Sequence, residues 1–174
     1  MTTVKVNPPV LELNISGHTL LSKNGIKLSK ARIERLLQEV VSSQPATCHL
    51  PPVTSLEISL LFCNDERIRK LNNDFRGRNK PTNVLSFPSH DDISRMINQP
   101  HIYLGDIALS LETNVREAAE EGKIPEYHVT HLLVHGALHL LGHDHETSTE
   151  AEEMEALEAS ILNKFNIPNP YCST

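Results

Sequence analysis

Residues 131–145 read HLLVHGALHLLGHDH, five histidines in fifteen positions. Their spacing constrains this chain more than any other feature. His135 and His139 are four apart, which on a helix stacks two imidazoles one turn apart on one face. Gly142 follows three residues later and can take the left-handed conformation that ends a helix and turns the chain back. That turn can swing His145 toward the same point. The pattern HxxxHxxGxxH thereby places three imidazoles around one ion, and Zn²⁺ suits neutral imidazole. Three protein ligands leave a fourth position for water, which is the arrangement of a hydrolytic site. His143, one residue after Gly142, competes with His145 for the third place. His128 and His131 share the stripe of His135 and read as supporting or packing residues. Asp144 reads equally as an acceptor orienting a ligand ring or as a solvated loop acid.

Position 136 is a glycine. Zinc peptidases of the HExxH type carry their general base there. Glycine offers no base and weakens a helix by about 1 kcal/mol relative to alanine. Its presence implies a close approach by backbone, substrate or a neighbouring strand. Peptide hydrolysis is disfavoured, because the proton acceptor is missing. A phosphodiester fits better. The stretch DFRGRNKPTNVLSFP sets Arg76, Arg78 and Lys80 in a loop punctuated by Gly and Pro, and a guanidinium can bind phosphate oxygens through two donors. The net charge of −6 hides this basic segment. Arg67, Arg69, Lys70, Arg76, Arg78 and Lys80 face only Asp74 within it, while the acids gather between Glu112 and Glu158. The pattern predicts a polarised molecule with one basic patch.

A chain of 174 residues fits one domain with a real core. VLELNIS (Val10 to Ser16) and SLEISLLF (Ser55 to Phe62) alternate as strands do. VLSF (Val84 to Phe87) and YLGDIALS (Tyr103 to Ser110) add two more. A helix capped by Ser29 carries Ile33, Leu36, Leu37 and Val40 inward, and another capped by Asn64 carries Ile68, Leu71 and Phe75 inward. SSQPATCHLPP and SHDDISRMINQPH read as loops. From Glu112 the pattern is helical: one segment ends at Gly122, and a second runs from Pro125 to Gly142 with the histidines. A last helix is capped by Thr149 with Glu152 and turns Met154, Leu157, Ile161 and Phe165 inward. The expected fold is α+β, a single domain with a small mixed sheet of about four strands packed with about five helices. No apolar run reaches the ~18 residues of a membrane helix, and MTTVKVNPPVLELN resembles neither a secretory signal nor a transit peptide. Cys48, Cys63 and Cys172 form no CxxC pair and read as free thiols. A cytoplasmic protein with no membrane association is expected.

The motifs resemble one known family, the YbeY-type endoribonucleases, which mature bacterial rRNA. HGALHLLGHDH is similar to that family's HGxLHLxGYDH signature, and LNNDFRGRNKPTNVLSFP to its LNxxYRxxxxPTDVLSFP block. LGDIALS resembles its LGDIxIS strand, and EAEEMEALE with the terminal PY resembles its last helix and end. The resemblance runs from about Ser55 to Tyr171, and residues 1–50 are its least characteristic part. It implies a mixed sheet of about four strands and one Zn²⁺ held by His135, His139 and His145. It implies an essential arginine at Arg76, so Arg76 and His135 become the candidate catalytic residues, with Arg78 and Lys80 as further RNA or phosphate contacts. His131, His143 and Asp144 become the candidate supports of the ligands. The implied activity is metal-dependent cleavage of single-stranded RNA in 16S rRNA 3′-end maturation, ribosome biogenesis and ribosome quality control. The implied partners are rRNA and the small ribosomal subunit, with ribosomal proteins or assembly GTPases beyond them. The chain departs from the family pattern at His143 and Phe75, each in place of Tyr, and at Asn83 in place of a frequent Asp. The alternatives left open are a ribosome assembly factor with a structural zinc and a zinc hydrolase of another substrate.

Overall fold

The computed structural model describes residues 9–44, 55–96 and 99–172. Its strands are β1 (Val10–Ser16), β2 (Ser55–Cys63), β3 (Val84–Pro88) and β4 (His101–Ser110). Its helices are α1 (Thr19–Lys23), α2 (Lys30–Ser42), α3 (Asp65–Arg76), α4 (Leu111–Glu120), α5 (Pro125–Leu140) and α6 (Ser148–Lys164). One sheet runs in the order β1-β2-β4-β3. β1, β2 and β4 are parallel, and β3 lies antiparallel to β4 at the edge. The mixed sheet and α+β class agree with the sequence reading. The sixth helix, α1, is a single turn, too short to carry an apolar period.

Strand alternation works as expected along β2, where Leu56, Ile58, Leu60 and Phe62 are all buried on one face. On β4 it is interrupted. Glu57 pairs with Tyr103 and Ile58 with Gly105, so Leu104 is skipped in a bulge. The extra residue lets both pairs, Ile102 with Leu104 and Ile107 with Leu109, reach the main core. That core is closed by α2, whose Ile33, Leu36, Leu37 and Val40 are fully buried, and by α5 and α6. A smaller cluster of Cys63, Ile68, Leu85 and Ala108 lies under α3, with Leu71 and Phe87 partly buried against it. Phe75 does not join the apolar face of α3 as expected. It is 69% exposed, because the helix runs on past its small core to the margin of the sheet.

The end signals are largely as read, with one correction. Ser29 and Asn64 accept the N–H of Arg32 and Arg67 as N-caps. The capping box of α6 is Thr147 with Glu150, two residues before the expected Thr149 with Glu152. Both pairs fit T-x-x-E, and the earlier one wins because the chain becomes helical immediately after the tight histidine turn. The loop before β4 contains a 3-10 turn, Ile93–Arg95. Cys63 and Cys172 are free thiols; Cys48 and the other residues of 45–54, on which most of the expected SSQPATCHLPP loop falls, lie outside the described residues. Among the described residues no helix is long and apolar enough to cross a membrane.

Candidate metal centre and its cleft

The histidines sit where α5 ends. Pro125 opens the helix at its first turn. Leu141 is its C-cap, and Gly142 follows at φ 90°. The N–H of His143 reaches the carbonyl of Leu138 at 3.0 Å, and that of Gly142 reaches His139 at 3.0 Å. These two bonds form a Schellman motif, which satisfies terminal carbonyls and reverses the chain. Asp144 Oδ1 accepts the main-chain N–H of His145 at 2.8 Å. The acid thus braces the turn through the main chain of His145.

His135, His139 and His145 come together with one nitrogen each, all within 4.8 Å of one another. Ring centroids lie 4.6, 5.5 and 5.0 Å apart for the pairs 135–139, 135–145 and 139–145. The tautomers follow from their partners. His139 Nδ1 donates to the carbonyl of His143 at 2.9 Å, and a carbonyl can only accept. His135 Nδ1 donates to Glu158 Oε1 at 2.7 Å. In the neutral imidazoles both Nε2 atoms then present lone pairs, and they face each other at 3.0 Å. With both rings neutral, the two lone pairs converge on one point, a place for a cation. Burial and the neighbouring His135 push the His139 imidazole toward its neutral form, the form that binds metal. The donor set fits a divalent ion that accepts imidazole. His143 is not part of it, since its Nε2 donates to Gln44 Oε1 at 2.7 Å. Of the two, His145 is the residue whose ring nitrogen lies with those of His135 and His139.

Glu158 supports this arrangement and was not identified from the sequence. Its side chain is 0% exposed. His131 Nε2 donates to Oε2 at 2.7 Å, His135 Nδ1 donates to Oε1, and the Tyr171 hydroxyl also donates to Oε2. Burial alone would raise its pKa, but these three donors outweigh burial and hold the carboxyl at about 2. One anion thereby fixes the orientation and basicity of His135 from behind. A signal was present, because Glu158 lies between Met154 and Ile161 on the inward stripe of α6, where an acid has no place without a partner. His131 shares the Glu158 carboxylate with His135. His128 faces elsewhere, with Nε2 on Glu117 Oε2 at 2.9 Å.

Gly136 now has a physical reason. A Cβ there would meet Ile107 Cγ2 and Ser86 Oγ, each at 3.0 Å. The helix lies so close to β3 and β4 that a methyl group would fit only if these side chains gave way by a few tenths of an ångström. Ser86 also joins the histidines across a cleft of about 680 Å³. Arg76, Asn83, His90, Asp91, His143 and Asp144 complete much of its lining. Arg76 wraps the edge of β3, with Nη2 3.4 Å from the Ser86 carbonyl. Arg78 and Lys80 are exposed and do not line the cleft. A larger cavity of about 920 Å³ adjoins it, but Asp91, Asp92, Glu150 and Glu153 line that space and disfavour an anionic ligand.

Fold and site together define an α+β protein with a three-histidine candidate metal centre open to a cleft. The family model described as Endoribonuclease YbeY matches residues 19–166, and the chain belongs to that family. A relative named Endoribonuclease YbeY from Chelativorans sp. (strain BNC1) is 52% identical over 136 residues, covering 78% of this chain and 81% of its own length. One from Bartonella bacilliformis is 54% identical, covering 70% and 75%. One from Rhodospirillum rubrum is 48% identical, covering 79% and 70%. Among solved structures, the solution structure of TM1509 from Thermotoga maritima aligns with TM-score 0.52 over 89% of this chain and 92% of that one. At 21% identity it speaks for the fold alone.

Proposed function

We propose that this chain is a zinc-dependent endoribonuclease that cleaves single-stranded RNA in the cytoplasm. It would act in 16S rRNA 3′-end maturation, ribosome biogenesis and quality control, with rRNA and the small ribosomal subunit as partners. The observation that carries the reading is the pair of outward lone pairs on His135 and His139, joined by His145, facing Arg76 across one cleft. Its family relatives, named Endoribonuclease YbeY, support the reaction class. Zn²⁺ supplies Lewis-acid polarisation and charge neutralisation at the phosphodiester when bound.

The protein's own residues do the rest. Glu158 and the His143 carbonyl keep His135 and His139 in the ligating tautomer. Arg76 donates to non-bridging phosphate oxygens, orienting the phosphodiester and stabilising charge that develops on it. Arg78 and Lys80 lie outside the cleft and attract the strand without regard to sequence. Gly136 leaves no carboxylate beside the first ligand, so the cleft lacks the peptidase base. A structural zinc in a non-catalytic assembly factor would call for a fourth protein ligand. His143, the residue best placed to be one, is turned to Gln44.

The test is cleavage of single-stranded and structured RNA by the purified chain beside His135→Ala and Arg76→Ala. The reading expects loss of cleavage in both variants and retention of metal by Arg76→Ala. Equal cleavage by parent and both variants would trace the activity to a contaminating nuclease and overturn the reading.

A further inference from the structure

Phe75 is an apolar residue with no internal reason to be where it is. It continues the stripe of Ile68 and Leu71 on α3, yet Ile68 is buried and Phe75 is 69% exposed. Its ring rests on Phe87 at a centroid distance of 5.1 Å and an interplanar angle of 57°. Phe87 in turn packs against the cluster of Cys63, Ile68, Leu85 and Ala108. The pair is therefore a fixed aromatic surface, anchored below and open above.

Its surroundings select the occupant. Arg69, Arg76, Arg78 and Lys80 are partly or fully exposed near the same helix end and the loop that follows. Among the described residues none of these four forms an ion pair within 4.0 Å; Lys70 is the cation of this segment that does, with Glu66. Asp74 is the one acid in the segment from Arg67 to Lys80. A protein-docking patch would be broad and apolar, whereas this is one planar ring among cations whose charge no carboxylate neutralises; Arg69 donates to the neutral Asn79 Oδ1 at 2.7 Å. Arg76, the next residue, lines the cleft of the histidines. Aromatic platforms set in basic surfaces are how proteins hold single-stranded nucleic acid without reading its sequence, because every base has a π-face.

We propose that Phe75, backed by Phe87, stacks an unpaired nucleobase of the strand whose phosphate is held at Arg76. The inference rests on the reading of the chain as a nuclease of single-stranded RNA, and adds the contact that favours unpaired over paired substrate. A base inside a duplex cannot offer its face to the ring.

The test uses a short single-stranded 2′-O-methyl oligonucleotide, which binds without being cut, and an abasic copy of it. Phe75→Leu keeps apolar bulk and removes the ring. It is expected to weaken binding of the intact strand about fivefold or more, with the abasic strand bound alike by parent and variant. Phe75→Trp is expected to restore affinity, with indole fluorescence quenched by the intact strand and not by the abasic one. Equal affinity of Phe75→Leu and parent for the intact strand overturns the platform, as does an equal loss on the abasic strand. If the parent cleaves RNA while Phe75→Leu changes nothing, the platform fails and the nuclease reading stands. If the parent neither binds nor cleaves RNA, both fail. The ring is exposed, so unchanged thermal unfolding of the variants is expected.

Discussion

The two sides of the cleft are built on opposite principles. On the histidine side nearly every polar group is already engaged. Glu158 is buried and takes three donors, His139 is clasped by the carbonyl of its own turn, and His143 is held by Gln44. On the arginine side the cations are partly or fully exposed, and among the described residues Arg76 has one long contact, to Ser86. A metal ligand must be orientated before the ion arrives, since flexible imidazoles would lose entropy on binding. A phosphate contact gains from the opposite state, because a guanidinium already paired with a carboxylate would have to break that pair first. The difference teaches that rigidity and availability are divided between the two walls.

Breaking the rigid wall should have the largest effect. His135→Ala or His139→Ala should abolish stoichiometric metal retention, read by metal analysis of the purified protein. Glu158→Gln should lower metal affinity by about 10- to 100-fold and destabilise the fold by roughly 3 kcal/mol, the scale of breaking a buried charged network. Competition with a chelating dye and urea unfolding measure the two separately; unchanged metal affinity would remove Glu158 from its supporting role.

The open wall should respond in the reverse sense. Arg76→Ala should leave stability within about 0.5 kcal/mol while cutting RNA cleavage by about 10²-fold or more, the scale of a removed charge-stabilising donor. Removing Arg78 or Lys80 should cost less. Each should lower affinity similarly for all strands and reduce the slope of log affinity against log salt by about 0.7, read in a salt titration. The smallest effect concerns the joint between the walls. Gly136→Ala should destabilise the protein by about 1 kcal/mol, because crowding against Ile107 exceeds the gain in helix propensity. A stabilised variant would mean that α5 can move away from the sheet without cost.

Much of the candidate metal centre was legible because its rules are local. An i, i+4 pair and a glycine that ends a helix act within eleven residues, from His135 to His145, and neighbouring chain geometry decides them. The spacing pointed to His145 over His143, but what occupies the His143 ring was not legible, since its partner Gln44 is ninety-nine positions away. Glu158 was missed for the same reason, its partner His135 lying twenty-three positions away on another helix. Phe75 was misread as core because its stripe has the right period. Periodicity tells which face of a helix is apolar, not how far the core beneath it extends.

By itself, the sequence determined the strands, the helix carrying the histidines, the turn that returns His145 and the missing peptidase base. Each follows from side-chain chemistry and short-range backbone geometry. Only the tertiary structure decided that Arg76 rounds the edge of β3 to meet the histidines, that Gly136 is the price of close helix–sheet contact, and that Glu158 stands behind His135. Those depend on which surfaces bury together, and burial joins residues without regard to their separation along the chain.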